Sequence, residues 1–144
     1  MSDFDTWLRR AWDRHGEQAE AVADELASAA ARPRNVDEAA RFAALSTHVL
    51  GEHLGQWRRG IELLDALPAF DGNAAPAIAR HRAVLRHMAG ETGTLDALPT
   101  ETRIAALAQV AAIAAGRGRL DQAIDSSGRA LAAAEAADPP PADD

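Results

Sequence analysis

Apolar residues recur along most of the chain every three to four positions, which is the period of an amphipathic helix. The first such stretch ends near Gly16, has Asp3 or Asp5 available as its cap, and carries large apolar side chains at Phe4, Trp7, Leu8 and Trp12. Apolar and polar residues do not alternate with a period of two over any sustained stretch, so no β-strand is predicted. The pattern predicts an all-α protein.

Capping and helix-breaking residues divide this pattern into seven helices. Pro33 and Pro68 cannot continue a helix, and Asn35 with Glu38 three residues later resembles a capping box. The predicted helices span about 3–16, 17–31, 35–54, 56–67, 74–90, 100–116 and 120–137, with Thr100 as the cap of the sixth. Apolar residues surround the sixth helix, so we expect it to be the most buried. We predict one domain over 1–137 and a disordered acidic, Pro-rich tail over 138–144.

Three helix junctions share one sequence pattern, and they begin at Gly16, Gly55 and Gly118. Each glycine is followed by a larger residue at the second position, a small one at the fifth and a β-branched aliphatic at the sixth. Glycine accepts a positive φ at the end of a helix, and a small residue lets two helices approach closely. The pattern predicts antiparallel helix–turn–helix pairs in which Trp57 is a core residue and Gly60 a point of close approach.

These junctions resemble the tetratricopeptide repeat (TPR) family. The best match places nine residues at the family's core positions: Leu107, Val110, Ala111, Ala114, Gly118, Leu120, Ala123, Ala130 and Leu131. The resemblance implies a TPR-like α-solenoid of helix pairs that binds protein segments. The three junction glycines lie 39 and 63 residues apart instead of the family's 34, so degenerate repeats are expected. An irregular helical bundle is the alternative.

Composition narrows the class of protein. About a quarter of the residues are alanine and only 4% are aromatic, which favours closely packed helices. All 15 basic residues are arginines, which indicates GC-rich coding and a bacterial protein. The net charge of -7 argues against nucleic-acid binding, and the absence of cysteine excludes disulfides and thiolate ligands. With no long apolar stretch and no apolar leader, we expect a cytoplasmic protein without a membrane partner.

The histidines offer a limited case for metal binding. His48 and Glu52 are four residues apart and share a helix face, but His53 is five from His48 and about 140° away around an α-helix. We therefore expect His48 and His53 not to share an ion, which leaves His48, Glu52 and His81 as the candidate metal ligands. Because no nucleophile turn or phosphate-binding loop is present either, the primary expectation is no cofactor and no enzymatic activity.

The preferred function is a non-enzymatic adaptor or chaperone-like module that binds a partner segment in a helical groove. The TPR resemblance implies that first helices of each pair line this groove, through Arg10, Arg14, Phe42, Leu45, Val49, Glu52 and His53. The basic cluster of Arg80, Arg82 and Arg86 fits an acidic protein or peptide partner.

Two alternative functions stay open. One is a small helical enzyme that binds a metal or ligand through histidine and glutamate. The other is a structural subunit that self-associates as a homodimer. The second alternative rests on an all-alanine face of the sixth helix, which suits packing against another helix or subunit: Ala105, Ala108, Ala112 and Ala115.

Overall fold

The computed structural model describes residues 2–28 and 31–137, and their secondary structure is helical, with no strand among them. The helices are α1 (Asp3–Arg14), α2 (Ala19–Glu25), α3 (Val36–Ser46), α4 (Trp57–Asp65), α5 (Ala75–Met88), α6 (Thr100–Gly116) and α7 (Leu120–Ala137). A π-helix (Thr47–His53) continues α3 without a break. The all-α prediction is confirmed. The tail predicted over 138–144 lies outside the described residues.

The helix ends follow local capping chemistry. Ser2 caps α1, because its hydroxyl accepts the Asp5 amide at 3.1 Å and the Asp5 carboxylate accepts the Ser2 amide at 3.3 Å. Asn35 caps α3 by accepting the Glu38 amide at 2.9 Å, as predicted. The prediction of Thr100 as a cap is wrong, since Pro99 holds that position and makes no side-chain hydrogen bond.

Helix α2 is shorter than predicted, since it ends at Glu25. Two of the three junction glycines adopt the expected positive φ, Gly55 at 64° and Gly118 at 75°. Gly16 does not, so its junction is a different turn from the other two. None of the described helices combines the length and apolar character needed to cross a lipid bilayer.

An N-terminal core is formed by α1–α4 and the π-helix. Its largest members are aromatic and branched side chains: Phe4, Trp7, Leu8, Val22, Leu26, Phe42, Leu45, Val49, Leu50, Ile61 and Leu64. Leu85 of α5 joins this core. A Cβ built on Gly60 would lie 3.0 Å from Leu85 Cδ1, so glycine is what lets α4 approach α5 closely. The sequence predicts a close approach between α4 and the helix before it, whereas the tight contact found at Gly60 is with α5.

A C-terminal core lies between α5, α6 and the loop before α6: Ala83, Val84, Met88, Leu95, Ala106, Leu107, Val110 and Ile113. Trp57 is partly buried and packs against both cores. Helix α7 packs mainly on α6, and Ser126 is its one buried residue in the described range. The expectation that α6 is the most buried helix is wrong, because Ala108, Ala112 and Ala115 are exposed.

Candidate metal centre

Three histidines from two parts of the chain meet at the surface of the N-terminal core. His15 follows α1 directly, whereas His48 and His53 belong to the π-helix. The Nε2 atom of His48 lies 3.1 Å from Nε2 of His15 and 3.1 Å from Nε2 of His53. All three rings offer a nitrogen within 4.8 Å of the other two. We call His15, His48 and His53 the histidine cluster.

The π-helix is what brings His48 and His53 together. In an α-helix, residues five apart point in different directions, but a π-helix closes its hydrogen bonds between residues five apart. The Leu54 amide accordingly donates to the Val49 carbonyl at 3.1 Å. The expectation that His48 and His53 cannot share an ion is therefore wrong, because it assumed α-helical geometry. Single π-turns inside α-helices occur frequently at functional sites.

Hydrogen bonds on the far side of two rings fix where their protons are. The Nδ1 atom of His48 lies 2.7 Å from Glu52 Oε2, and Nδ1 of His15 lies 2.5 Å from the carbonyl oxygen of Trp12. A carboxylate and a carbonyl only accept, so each Nδ1 carries the proton and donates it. In the neutral rings of His15 and His48, Nε2 is then left with a lone pair.

Two Nε2 lone pairs facing each other at 3.1 Å repel unless a positive charge lies between them. Metal-bound histidines in proteins show the same outer pattern, with the second ring nitrogen donating to a carboxylate or a carbonyl. Zinc–nitrogen bonds of 2.0–2.1 Å in a tetrahedron place neighbouring nitrogens about 3.3 Å apart, close to the spacing seen here. Two of the three nitrogen pairs in the cluster thus have the spacing that a three-histidine metal site requires.

The surroundings leave one side of the cluster open to solvent. The Trp12 ring packs against His15 edge-on at 5.2 Å and against His48 at 5.4 Å between ring centres. Beside His53, a cleft of about 460 Å³ is bordered by Glu52, Gly116 and Arg117. Partial burial, and then the neighbouring His48 and His15, lower the pKa of His53, which favours its neutral, metal-binding form.

His81, expected as a ligand with His48 and Glu52, is not part of the histidine cluster. It is buried on α5, and its Nδ1 accepts a hydrogen bond from the Gln109 amide of α6 at 3.0 Å. Burial, with a smaller contribution from Arg80, lowers the pKa of His81 to about 4, so its ring is neutral. Glu52 is the hydrogen-bond partner of His48 instead, and the third place in the cluster is taken by His15, which no sequence pattern singles out.

The residues expected to line a partner-binding groove are distributed differently. Phe42, Leu45 and Val49 are between 0% and 4% exposed and belong to the N-terminal core, so they offer no surface to a partner. Their placement on a groove, taken from the TPR register, is corrected by this burial. His53 belongs to the histidine cluster, Glu52 contacts that cluster through His48, and Arg10 is exposed.

The arginines expected to bind an acidic partner have partners within the chain. Arg14 pairs with Glu25. On α5, Arg80 donates to the Gln109 side chain, Arg82 to the Leu64 carbonyl, and Arg86 to the carboxylates of Asp65 and Glu91. Because these contacts tie α5 to its neighbours, the basic cluster is largely engaged in holding the fold together.

No family model, curated protein or solved structure matches the chain. The argument for function therefore depends on the geometry of the histidine cluster.

Proposed function

We propose that the protein binds one divalent transition-metal ion of the zinc class through Nε2 of His15, His48 and His53. The observation that carries this proposal is the convergence of the three ring nitrogens, two of which face each other at 3.1 Å. Imidazole suits zinc, copper, nickel and iron, whereas calcium and magnesium prefer oxygen ligands. The predicted metal- or ligand-binding alternative is thus favoured over the adaptor.

Three histidine ligands leave a coordination position for water or another small ligand. Zinc sites with three protein ligands and an open position are typical of reactive or ligand-exchanging centres, whereas structural sites use four protein ligands. The open side of the cluster and the cleft beside His53 provide room for such a ligand. The proposal is an accessible metal site that exchanges its fourth ligand.

Metal binding would also stabilise the fold. His15 lies at the end of α1 and the other two ligands lie in the π-helix, so the ion would connect helices that the unfolded chain does not hold together. An ion present at 100 times its dissociation constant would raise the free energy of unfolding by about 2.7 kcal/mol.

The direct test is isothermal titration calorimetry with Zn²⁺ on protein purified without an affinity tag and freed of metal. We expect one ion per chain for the native protein and a loss of affinity beyond about 100-fold for His15→Gln and His48→Gln. His87→Gln is the matched control, because His87 lies on α5 outside the cluster, and it should bind as the native protein does. Glu52→Gln should weaken binding about 10- to 100-fold through its effect on His48.

Two results would contradict the metal site. The native protein could fail to bind Zn²⁺, Cu²⁺, Ni²⁺ or Co²⁺, or His15→Gln could bind as tightly as the native protein. The His15 variant is the sharper test, because an adventitious site on the π-helix alone would not need a ligand from α1.

An interaction role in the manner of TPR-like helical repeats and a cytoplasmic location remain proposals that rest on the sequence. The residues that the TPR resemblance and the basic cluster assign to partner binding give the interaction role little support, since three of them are buried and most of the arginines are paired within the chain. The alternative of a self-associating subunit has a separate structural basis in the α6–α7 hairpin.

A further inference from the structure

The outer side of the α6–α7 hairpin exposes large apolar side chains. Within residues 2–28 and 31–137, four such side chains are more than a third exposed: Trp12, Leu120, Ile124 and Leu131. Three of them are on α7, at 62–72% exposure. Positions 120, 124 and 131 fall within about 40° of one another around an α-helix, so they form a single stripe.

A groove lined by small residues runs beside this stripe. Its volume is about 550 Å³, and its walls are the exposed alanines Ala108, Ala112 and Ala115 of α6 with Ala123, Ile124 and Ser127 of α7. Ile124 is in both the stripe and the groove wall, so the two features lie on the same face. We call the stripe and the groove together the open face.

Helix α7 has the reverse of the usual surface-helix pattern. It turns Ser126 and half-buried alanines toward α6, and its three largest apolar side chains point away from the protein. A surface helix normally places its large apolar residues on the core and its polar residues outside. The open face is therefore a surface that another helical element would complete.

We propose that the open face binds a second copy of the same chain around a two-fold axis. The stripe of one copy would lie in the groove of the other, and the symmetry would supply the reciprocal contact. A stripe of large side chains beside a groove of small ones is self-complementary. An unrelated partner would need both a matching stripe and a matching groove. The stripe and the groove contain no charged residue, so two chains of net charge -7 would meet without like charges at the centre.

The hairpin that carries the open face is long enough for a small interface. Helices of 17 and 18 residues are about 26 Å long, and two of them side by side are about 20 Å wide. The whole outer side of the hairpin thus measures about 500 Å², so pairing over all of it would bury about 1,000 Å² in total, the lower limit of specific interfaces. An interface of this size predicts a dimer that dissociates on dilution.

The experiment is multi-angle light scattering over a dilution series, with circular dichroism as the check on folding. The native protein should approach twice its monomer mass at high concentration. Ile124→Glu should raise the dissociation constant at least about 100-fold, because it buries an unpaired charge. Ala132→Glu is the matched control, since Ala132 is exposed on α7 but lies about 80–120° around the helix from the stripe residues, and it should dimerise as the native protein does.

Ala112→Glu provides an independent test from α6 in case Ile124→Glu loses helical structure. It adds a charge at an exposed groove residue and should also weaken the dimer at least about 100-fold. A native protein that is monomeric at every concentration would overturn the proposal. A dimer that survives both groove variants, or one that Ala132→Glu weakens equally, would overturn it as well.

Discussion

The N-terminal core is built from tryptophan, phenylalanine, leucine and valine, whereas the side of α7 that packs on α6 consists of Ser126 and half-buried alanines. Large side chains fill the space between α1, α3 and α4 and leave little of themselves exposed. Helix α7 turns these small residues inward, and its Leu120, Ile124 and Leu131 face outward. Helical periodicity alone therefore does not show which surface the apolar side of a helix packs against. The N-terminal helices pack their apolar sides against one another, whereas α7 leaves its large apolar side chains exposed.

The largest expected difference between the two regions comes from removing a leucine from each. Leu64 is fully buried in the N-terminal core, so Leu64→Ala should lower the free energy of unfolding by about 2.7–5 kcal/mol. Leu131 is 62% exposed, so Leu131→Ala should change it by less than about 0.5 kcal/mol in protein diluted to the monomer. Urea denaturation measures the free energy of unfolding of both variants. Equal losses would show that the two leucines do not differ in burial as described.

Acidification should act on the contact between α5 and α6. The folded pKa of His81, about 4, is below the ordinary value of 6.5, so the unfolded chain binds the proton more readily. The free energy of unfolding therefore has its full value above pH 6.5, and it falls by up to about 3 kcal/mol as the pH falls toward 4. Denaturant titrations at several pH values should show this loss in the native protein. His81→Gln, which cannot titrate, should show a smaller one.

Glycines in the two regions should respond to alanine with opposite signs. A Cβ on Gly51 in the π-helix would meet the Trp57 ring at 2.9 Å, so Gly51→Ala should destabilise the protein by about 1–3 kcal/mol. Gly128 lies in α7 with no neighbouring atom within 4 Å of a built Cβ. Gly128→Ala should stabilise the protein by about 0.5–1 kcal/mol. Thermal unfolding of the two variants side by side checks the signs, and a common sign would contradict the packing described.

Helix caps provide the smallest contrast. Asn35→Ala removes the hydrogen bond from the Glu38 amide and should lower the free energy of unfolding by about 1 kcal/mol. Thr100→Ala should leave it almost unchanged, because Thr100 is already inside α6 and makes no capping bond. Chemical denaturation resolves this difference, and a comparable loss at Thr100 would restore it as a cap.

The helices could be predicted because their signals are local. Apolar periodicity, Asn35 at a helix start and prolines at helix ends act within a few residues of the chain. These local signals place helix ends less exactly. Helix α2 ends at Glu25 although the pattern predicts an end near residue 31, and Pro99 takes the cap position of α6 that is predicted for Thr100.

The histidine cluster could be predicted only in part. The sequence marks His48 as a candidate ligand, but no residue type marks the π-helix that brings His53 beside it. His15 comes from another helix, so no spacing along the sequence reveals it. The TPR register placed Phe42, Leu45 and Val49 on a groove, although their apolar character suits the core in which they lie.

The π-helix from Thr47 to His53 also bears on how this chain could gain or lose residues. With one residue fewer, the segment could be an ordinary α-helix, and the two histidines would be four apart, the spacing that also places two ligands on one helix face. Adding one residue to such an α-helix without widening a turn would rotate everything after it by about 100°. The π-helix thus accommodates an additional residue while preserving both the ligand pair and the orientation of α4. An insertion in the middle of a helix is here compatible with an intact site and an intact fold.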